Sequence, residues 1–63
     1  MPLEVQTKEE VRDAVLRAAT KPELEEAKDA FIKWVEDHPD DKLWLMPVGS
    51  TLGRKSKLMG VKF

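Results

Sequence analysis

Two helix-start signals, thirteen residues apart, constrain the fold of this chain more than any other feature of its sequence. They read Thr7-Lys8-Glu9-Glu10 and Thr20-Lys21-Pro22-Glu23. In each, the threonine hydroxyl can accept the backbone N–H of the glutamate three residues later, and the glutamate carboxylate can reach back to the threonine N–H. A proline in the first turn loses no hydrogen bond that the helix would make. The two signals predict two helices, the first ending where the second begins.

Apolar residues follow both signals at helical spacing. The first set is Val11, Ala14, Val15 and Ala18, and the second is Leu24, Ala27, Phe31, Trp34 and Val35. Residues spaced three and four apart lie on one side of a helix, so each helix has one apolar face. The second helix is predicted to end before Pro39, because a proline disfavours the helical conformation of the residue that precedes it. The sequence therefore predicts a helical hairpin with a shared apolar side.

The pattern changes in the last third of the chain. Leu43–Val48 is a short apolar run and Met59–Phe63 alternates apolar with other residues, so both are predicted to be strands of an antiparallel hairpin joined by a loop over 49–56. Leu3–Gln6 also alternates, which predicts a short third strand at the edge of the sheet. We therefore expect an α+β fold over residues 1–63, with the helical hairpin packed on one face of a small antiparallel β-sheet.

Length and composition limit the chain to a single small domain. It has 63 residues, 41% of them hydrophobic and 37% charged, and no cysteine. Without cysteine there is no disulfide and no thiolate metal site, so packing alone must hold the core, and a homodimer is compatible with so small a core. The longest apolar run has six residues, against about 20 needed to cross a bilayer. We expect a cytoplasmic protein with no membrane partner.

Charge divides the chain into two unlike parts. Residues 1–41 hold six basic and twelve acidic residues, a net charge of −6, whereas residues 42–63 hold five basic residues and no acidic one. The whole chain therefore has a net charge of −1. Such asymmetry bears on which partners a protein attracts, and says nothing about its fold.

The acid-free tail is the first candidate site. Cationic and hydroxyl side chains of this kind bind phosphate groups, so the basic hairpin is predicted to contact nucleic acid as part of a small regulator or accessory factor. The candidate residues are Lys42, Ser50, Thr51, Arg54, Lys55, Lys57 and Lys62. A nucleotide-binding P-loop is excluded, because its two glycines are five apart and those here are four apart. The alternative is a soluble hairpin tip whose lysines prevent edge-to-edge aggregation and pair with the acidic helices.

The acidic helices are the second candidate site. Glu25, Glu26 and Asp29, together with Trp44 or an exposed strand edge, would bind a larger protein, as an adaptor or inhibitor of bacterial or phage type does. An enzyme is not expected. The chain has no cysteine or tyrosine and one histidine, His38, in a predicted turn, so no nucleophile and base can be paired from the sequence. No cofactor or metal site is expected either.

Overall fold

Three α-helices and one short 3₁₀ turn make up the fold in the computed structural model, which describes residues 5–62. Helix α1 spans Lys8–Arg17 and helix α2 spans Lys21–Asp37. A 3₁₀ turn over Pro39–Asp41 leads directly into helix α3, Lys42–Met59. All three helices pack against one another around a single core.

Both predicted helix starts are confirmed. The Thr7 hydroxyl accepts the Glu10 backbone N–H at 3.2 Å, and the Thr20 hydroxyl accepts the Glu23 backbone N–H at 3.4 Å. The Glu23 carboxylate reaches back, accepting the Thr20 hydroxyl at 2.9 Å and the Ala19 backbone N–H at 3.4 Å. The predicted end of the second helix is confirmed as well, since α2 stops two residues before Pro39.

The predicted β-sheet is wrong. Residues 42–59, expected as a strand, a loop and the start of a second strand, form one continuous helix, and no strand occurs within residues 5–62. The fold is an all-helical bundle rather than a helical hairpin on a sheet. Of the predicted third strand, Leu3 and Glu4 lie outside the described residues, as does Phe63, while Val5 and Gln6 belong to no strand.

Tertiary burial explains why α3 forms despite its composition. Leu45, Val48, Leu52 and Ser56 recur at spacings of three and four and are all buried. Pro47 lies inside the helix, where its missing N–H leaves the carbonyl four residues earlier without a helical partner. That carbonyl belongs to Leu43, an exposed residue of the first turn, so water can satisfy it. Burial of the apolar stripe therefore outweighs the poor helix propensity.

The core lies along the inner side of all three helices. Its buried members are Val11, Val15, Ala18, Leu24, Ala27, Leu45, Val48, Leu52 and Val61. Helix α3 ends at Gly60, whose φ of 73° is a left-handed conformation that favours glycine. The next residue, Val61, donates its backbone N–H to the Ser56 carbonyl at 2.8 Å and buries its side chain. This turn closes the C-terminal end of the core.

Candidate binding surface on the third helix

Helix α3 turns one complete face to solvent. Its buried residues follow the stripe from Leu45 to Ser56, and the residues about 180° away around the helix are all exposed. We call this set the outer face of α3; it consists of Leu43, Met46, Pro47, Ser50, Arg54, Lys57 and Leu58. An exposed helix face is ordinarily charged or polar. This one is mixed, and the order of its residues defines the candidate site.

The apolar part of the outer face lies mainly in the first two turns. Leu43 is 78% exposed and Met46 is 59% exposed, and the exposed Pro47 lies four residues after Leu43 on the same side. Leu58, at the other end of the helix, is 86% exposed. Single exposed apolar residues are common on proteins, whereas adjacent ones on one helix face are typical of interaction surfaces.

The basic part of the outer face lies between the apolar ends. Arg54 and Lys57 are exposed and three residues apart, and neither forms an ion pair with any carboxylate in the described chain. Helix α3 contains no acidic residue, so nothing on its own surface neutralises these cations. The charge of the outer face is therefore available to a ligand.

Lys55 does not belong to this surface. Its ammonium group donates to three backbone carbonyls at the end of α1, those of Val15 at 2.9 Å, Leu16 at 2.8 Å and Ala18 at 3.1 Å. The last carbonyls of a helix lack partners within it and carry partial negative charge, which is why a cation binds there. The side chain predicted to contact phosphate thus caps α1 and ties it to α3.

The other predicted phosphate-binding residues are spread over the molecule. Ser50 lies on the outer face, while the Thr51 hydroxyl donates to the Pro47 carbonyl at 3.2 Å and stabilises the helix locally. Lys42 is the exposed first residue of α3. Lys62 is exposed beyond the other end, and its backbone carbonyl accepts the Lys28 ammonium group at 2.7 Å. Arg54, Lys57 and Ser50 are therefore the predicted residues that share one face.

Trp44 lies beside the outer face and is held by α1. The residue is 37% exposed, with the Lys8 ammonium 4.9 Å and the Arg12 guanidinium 5.5 Å from the centroid of its ring. Cations at such distances are attracted to the face of an indole. Lys8 also approaches the Asp41 carboxylate, at 3.9 Å. These contacts give Trp44 a structural role between α1 and α3.

The second tryptophan orders the turn before α3. The Trp34 indole N–H donates to Oδ2 of Asp41 at 2.9 Å, and the His38 ring stacks on the indole with centroids 4.0 Å apart. Asp41 is the residue before α3 but makes no side-chain capping bond to it. The turn is therefore fixed by α2 and by Lys8 of α1, which sets the direction in which α3 leaves.

The acidic residues predicted to bind a partner lie on α2 and not on the outer face of α3. Glu25, Glu26 and Asp29 are exposed on α2. Glu26 also lines an open groove of about 320 Å³ between α1 and the start of α2, with a partly apolar floor that includes Ala14 and Ala18. The other groove residues are Val5, Glu10, Asp13, Arg17 and Glu23. Two of its carboxylates, Glu10 and Glu23, already accept hydrogen bonds at helix starts.

Residues 5–62 contain neither a membrane-spanning helix nor a metal-binding cluster. No helix within residues 5–62 is long and apolar enough to cross a bilayer. The same part of the chain contains no group of three or more His, Cys, Asp or Glu side chains arranged to hold a metal ion.

Comparison of the chain with protein-family models, with curated proteins and with solved structures finds no match. Function must therefore be argued from the surface itself. On the outer face of α3, the leucines and methionine were not among the binding residues predicted from the sequence; they are Leu43, Met46 and Leu58. The signal for them was the helical spacing of Leu45, Val48 and Leu52, which, once recognised as a buried stripe, places the neighbouring apolar residues on the outside.

Proposed function

We propose that the protein is a non-enzymatic binding module that docks on another protein through the outer face of α3. The observation that carries this proposal is the exposure of Leu43, Met46 and Leu58 on one face of a helix whose opposite face already fills the core. The bundle does not need apolar side chains at these positions, and covering them removes apolar surface from water. A partner surface is what would cover them.

Like the adaptor or inhibitor predicted from the sequence, the proposed module binds a protein, but it does so through a different surface. An exposed strand edge is ruled out within residues 5–62 because the described fold has no strand. The acidic residues Glu25 and Asp29 are interspersed with basic ones along α2, as is usual for a solvated helix face. The outer face of α3 has both an apolar part and a charge of one sign, which together favour docking.

Nucleic-acid binding is the second candidate, and a specific observation favours it. Arg54 and Lys57 are exposed, adjacent on one face and without ion-pair partners among the described residues. Phosphate groups would satisfy both cations, in a contact that weakens strongly as salt is raised. The exposed leucines and Met46 have no obvious role in such a contact, which is why we place it second.

Site-specific cross-linking tests the proposal. A photoreactive amino acid is placed at Leu43 or Met46, and at Glu9 or Glu36 as controls, which are exposed on α1 and α2. After irradiation in cells that make the protein, we expect discrete protein adducts from the two α3 positions and none from the controls. Equal labelling at all four positions, or adducts that disappear on nuclease treatment, would count against docking on a protein.

A titration separates the two candidates. Labelled DNA and RNA are titrated at low and moderate salt with the wild type, with Arg54→Ala/Lys57→Ala, and with Lys21→Ala/Lys33→Ala, which removes two exposed cations from α2. If nucleic acid is the ligand, only the α3 double variant loses binding. We expect instead weak binding that both double variants reduce alike, because it reflects general charge rather than a site.

A further inference from the structure

Two glycines four residues apart in α3 have different environments. A Cβ atom at Gly49 would lie 3.1 Å from Cζ of Phe31, so this glycine allows α3 to approach α2 closely. A Cβ atom at Gly53 would meet no atom of another part of residues 5–62 within 4 Å. The intramolecular packing therefore explains Gly49 and does not explain Gly53. Glycine inside a helix destabilises it by about 1 kcal/mol relative to alanine, so Gly53 has a cost to the fold without a visible benefit to it.

Gly53 lies at the edge of the outer face, one helical turn from both Ser50 and Lys57. The outer face runs about 22 Å from Leu43 to Leu58, given a rise of 1.5 Å per residue. Along that length it is apolar in the first turns, small at Ser50 and Gly53, basic at Arg54 and Lys57, and apolar again at its end. Because Ser50 and Gly53 have little or no side chain, the backbone of another helix can come close to α3 at these positions.

We infer that the outer face of α3 binds an amphipathic helix of a partner protein that carries carboxylates, with its closest approach at Gly53. This inference rests on the proposed function and names the chemistry of the partner. Apolar residues of the partner helix would cover Met46 and Leu43, which lie toward the same side of α3 as Gly53. Its carboxylates would pair with Arg54 and Lys57, neither of which forms an ion pair with a carboxylate of residues 5–62.

Charge argues against the other occupants of this face. A second copy docked through the same face would supply no carboxylate to Arg54 and Lys57, because α3 contains none, so an interface between two copies would gather cations of both without neutralising them. Nucleic acid and an anionic lipid surface both match the charge, but neither needs a glycine, because neither brings a helix backbone against α3. The effect of adding a side chain at Gly53 therefore distinguishes a helix from both.

The test uses a defined probe. It is a labelled synthetic peptide of about 18 residues, long enough to follow α3, with leucine at every third or fourth position and glutamate at most others. A control peptide has lysine in place of each glutamate. Binding to the full chain is measured by fluorescence anisotropy, and circular dichroism melts verify that every variant is folded.

Three matched pairs of variants complete the design. Gly53→Leu is compared with Ala19→Leu, an exposed small residue between α1 and α2, Arg54→Gln/Lys57→Gln with Lys21→Gln/Lys33→Gln, and Leu43→Ser/Met46→Ser with Leu16→Ser/Ile32→Ser. Leu16 and Ile32 are 54% and 43% exposed on α1 and α2, away from the outer face. We expect the first member of each pair to weaken binding of the glutamate peptide about tenfold or more, since hot-spot side chains dominate an interface. The second members should change it by less than about twofold.

The remaining outcomes overturn the inference. Failure of the glutamate peptide to bind, equal binding of the lysine peptide, or an unchanged affinity in Gly53→Leu would each do so. A dimer of the wild type in the absence of peptide, detected by sedimentation and abolished in Leu43→Ser/Met46→Ser, would also overturn the inference. Parallel titrations with anionic phosphatidylglycerol vesicles and with a short DNA duplex detect the other two occupants. If either binds, and if its binding depends on Arg54 and Lys57 but not on Gly53, then that ligand and not a helix occupies the outer face.

Failure here is separable from failure of the proposed function. If protein adducts still form from Leu43 while no acidic helix binds, the protein docks on a partner of another kind, and only the present inference is lost. If no adduct forms from Leu43 or Met46, the proposed function itself is lost.

Discussion

The helical pair α1–α2 and the helix α3 are stabilised in different ways. Both members of the pair begin with a threonine whose hydroxyl accepts the backbone N–H three residues later in sequence. Helix α3 has no side-chain cap at its start and contains Pro47 and two glycines. Local chemistry specifies the first two helices, whereas α3 depends on burial of its inner face. The difference matters for function, because the helix with the weaker local preference is also the one with the exposed apolar face.

The largest expected effect separates the two faces of α3. Leu45→Ala removes a fully buried side chain, and we expect it to lower the free energy of unfolding by about 2 to 5 kcal/mol, a large part of the total stability of a small bundle. Leu43→Ala, on the outer face, should change stability by less than about 0.5 kcal/mol. Urea denaturation of both variants measures the difference. A similar loss in both would mean that the outer face belongs to the core.

The next effect concerns the contact between α3 and the end of α1. Lys55→Met keeps the length of the side chain but removes its three hydrogen bonds to α1 carbonyls, and we expect a loss of about 1 to 3 kcal/mol. Lys57→Met, two residues later on the outer face, should be close to neutral. Amide hydrogen exchange should show faster opening of the last turn of α1 in Lys55→Met alone. Equal stability of the two variants would remove the structural role of Lys55.

A smaller effect tests the local caps. Thr20→Ala removes the hydroxyl that accepts the Glu23 backbone N–H, and we expect a loss of about 1 kcal/mol. Ser50→Ala, an exposed change in the middle of α3, provides the control and should be nearly neutral. Thermal melts followed by circular dichroism measure both. If Thr20→Ala is as stable as the wild type, α2 does not depend on its cap, and its contrast with α3 disappears.

The smallest effect compares the two glycines. Gly53→Ala should raise the free energy of unfolding by about 0.5 to 1 kcal/mol, because the added methyl group meets no atom and the helix propensity improves. Gly49→Ala gains the same propensity but places its methyl group against Phe31, so we expect a smaller gain or a loss. Chemical denaturation of the two variants side by side resolves the order. The reverse order would show that Gly53 serves the fold after all.

This contrast also explains how much of the fold could be predicted. The positions of Thr7, Thr20 and Pro39 mark the ends of α1 and α2, because capping and proline chemistry act over three or four residues. No capping box or proline signal of this kind marks the start of α3. The run Leu43–Val48 supplies apolar residues to both sides of the helix, which hides the helical period, and Pro47 with the following glycines is typical of a strand and a loop.

The site was predicted in part for the same reason. Arg54 and Lys57 were recognised from charge alone, which does not depend on secondary structure. Lys55 could not be separated from them, because its partners are α1 carbonyls about 40 residues earlier in the chain. Leu43 and Met46 were assigned to a strand with a buried side, and only the helical period shows that they point away from the core.

Chemical-shift mapping tests the role of the outer face of α3 most directly. The ¹⁵N-labelled protein is titrated with the acidic helical peptide, and backbone amide shifts are followed residue by residue. We expect the largest changes at Leu43, Met46, Gly53 and Lys57, with the exposed residues of α1 and α2 unaffected. Changes centred on the groove around Glu26 and Asp13 would contradict the assignment of this face as the binding surface, and no changes at all with excess peptide would contradict an acidic helix as its ligand.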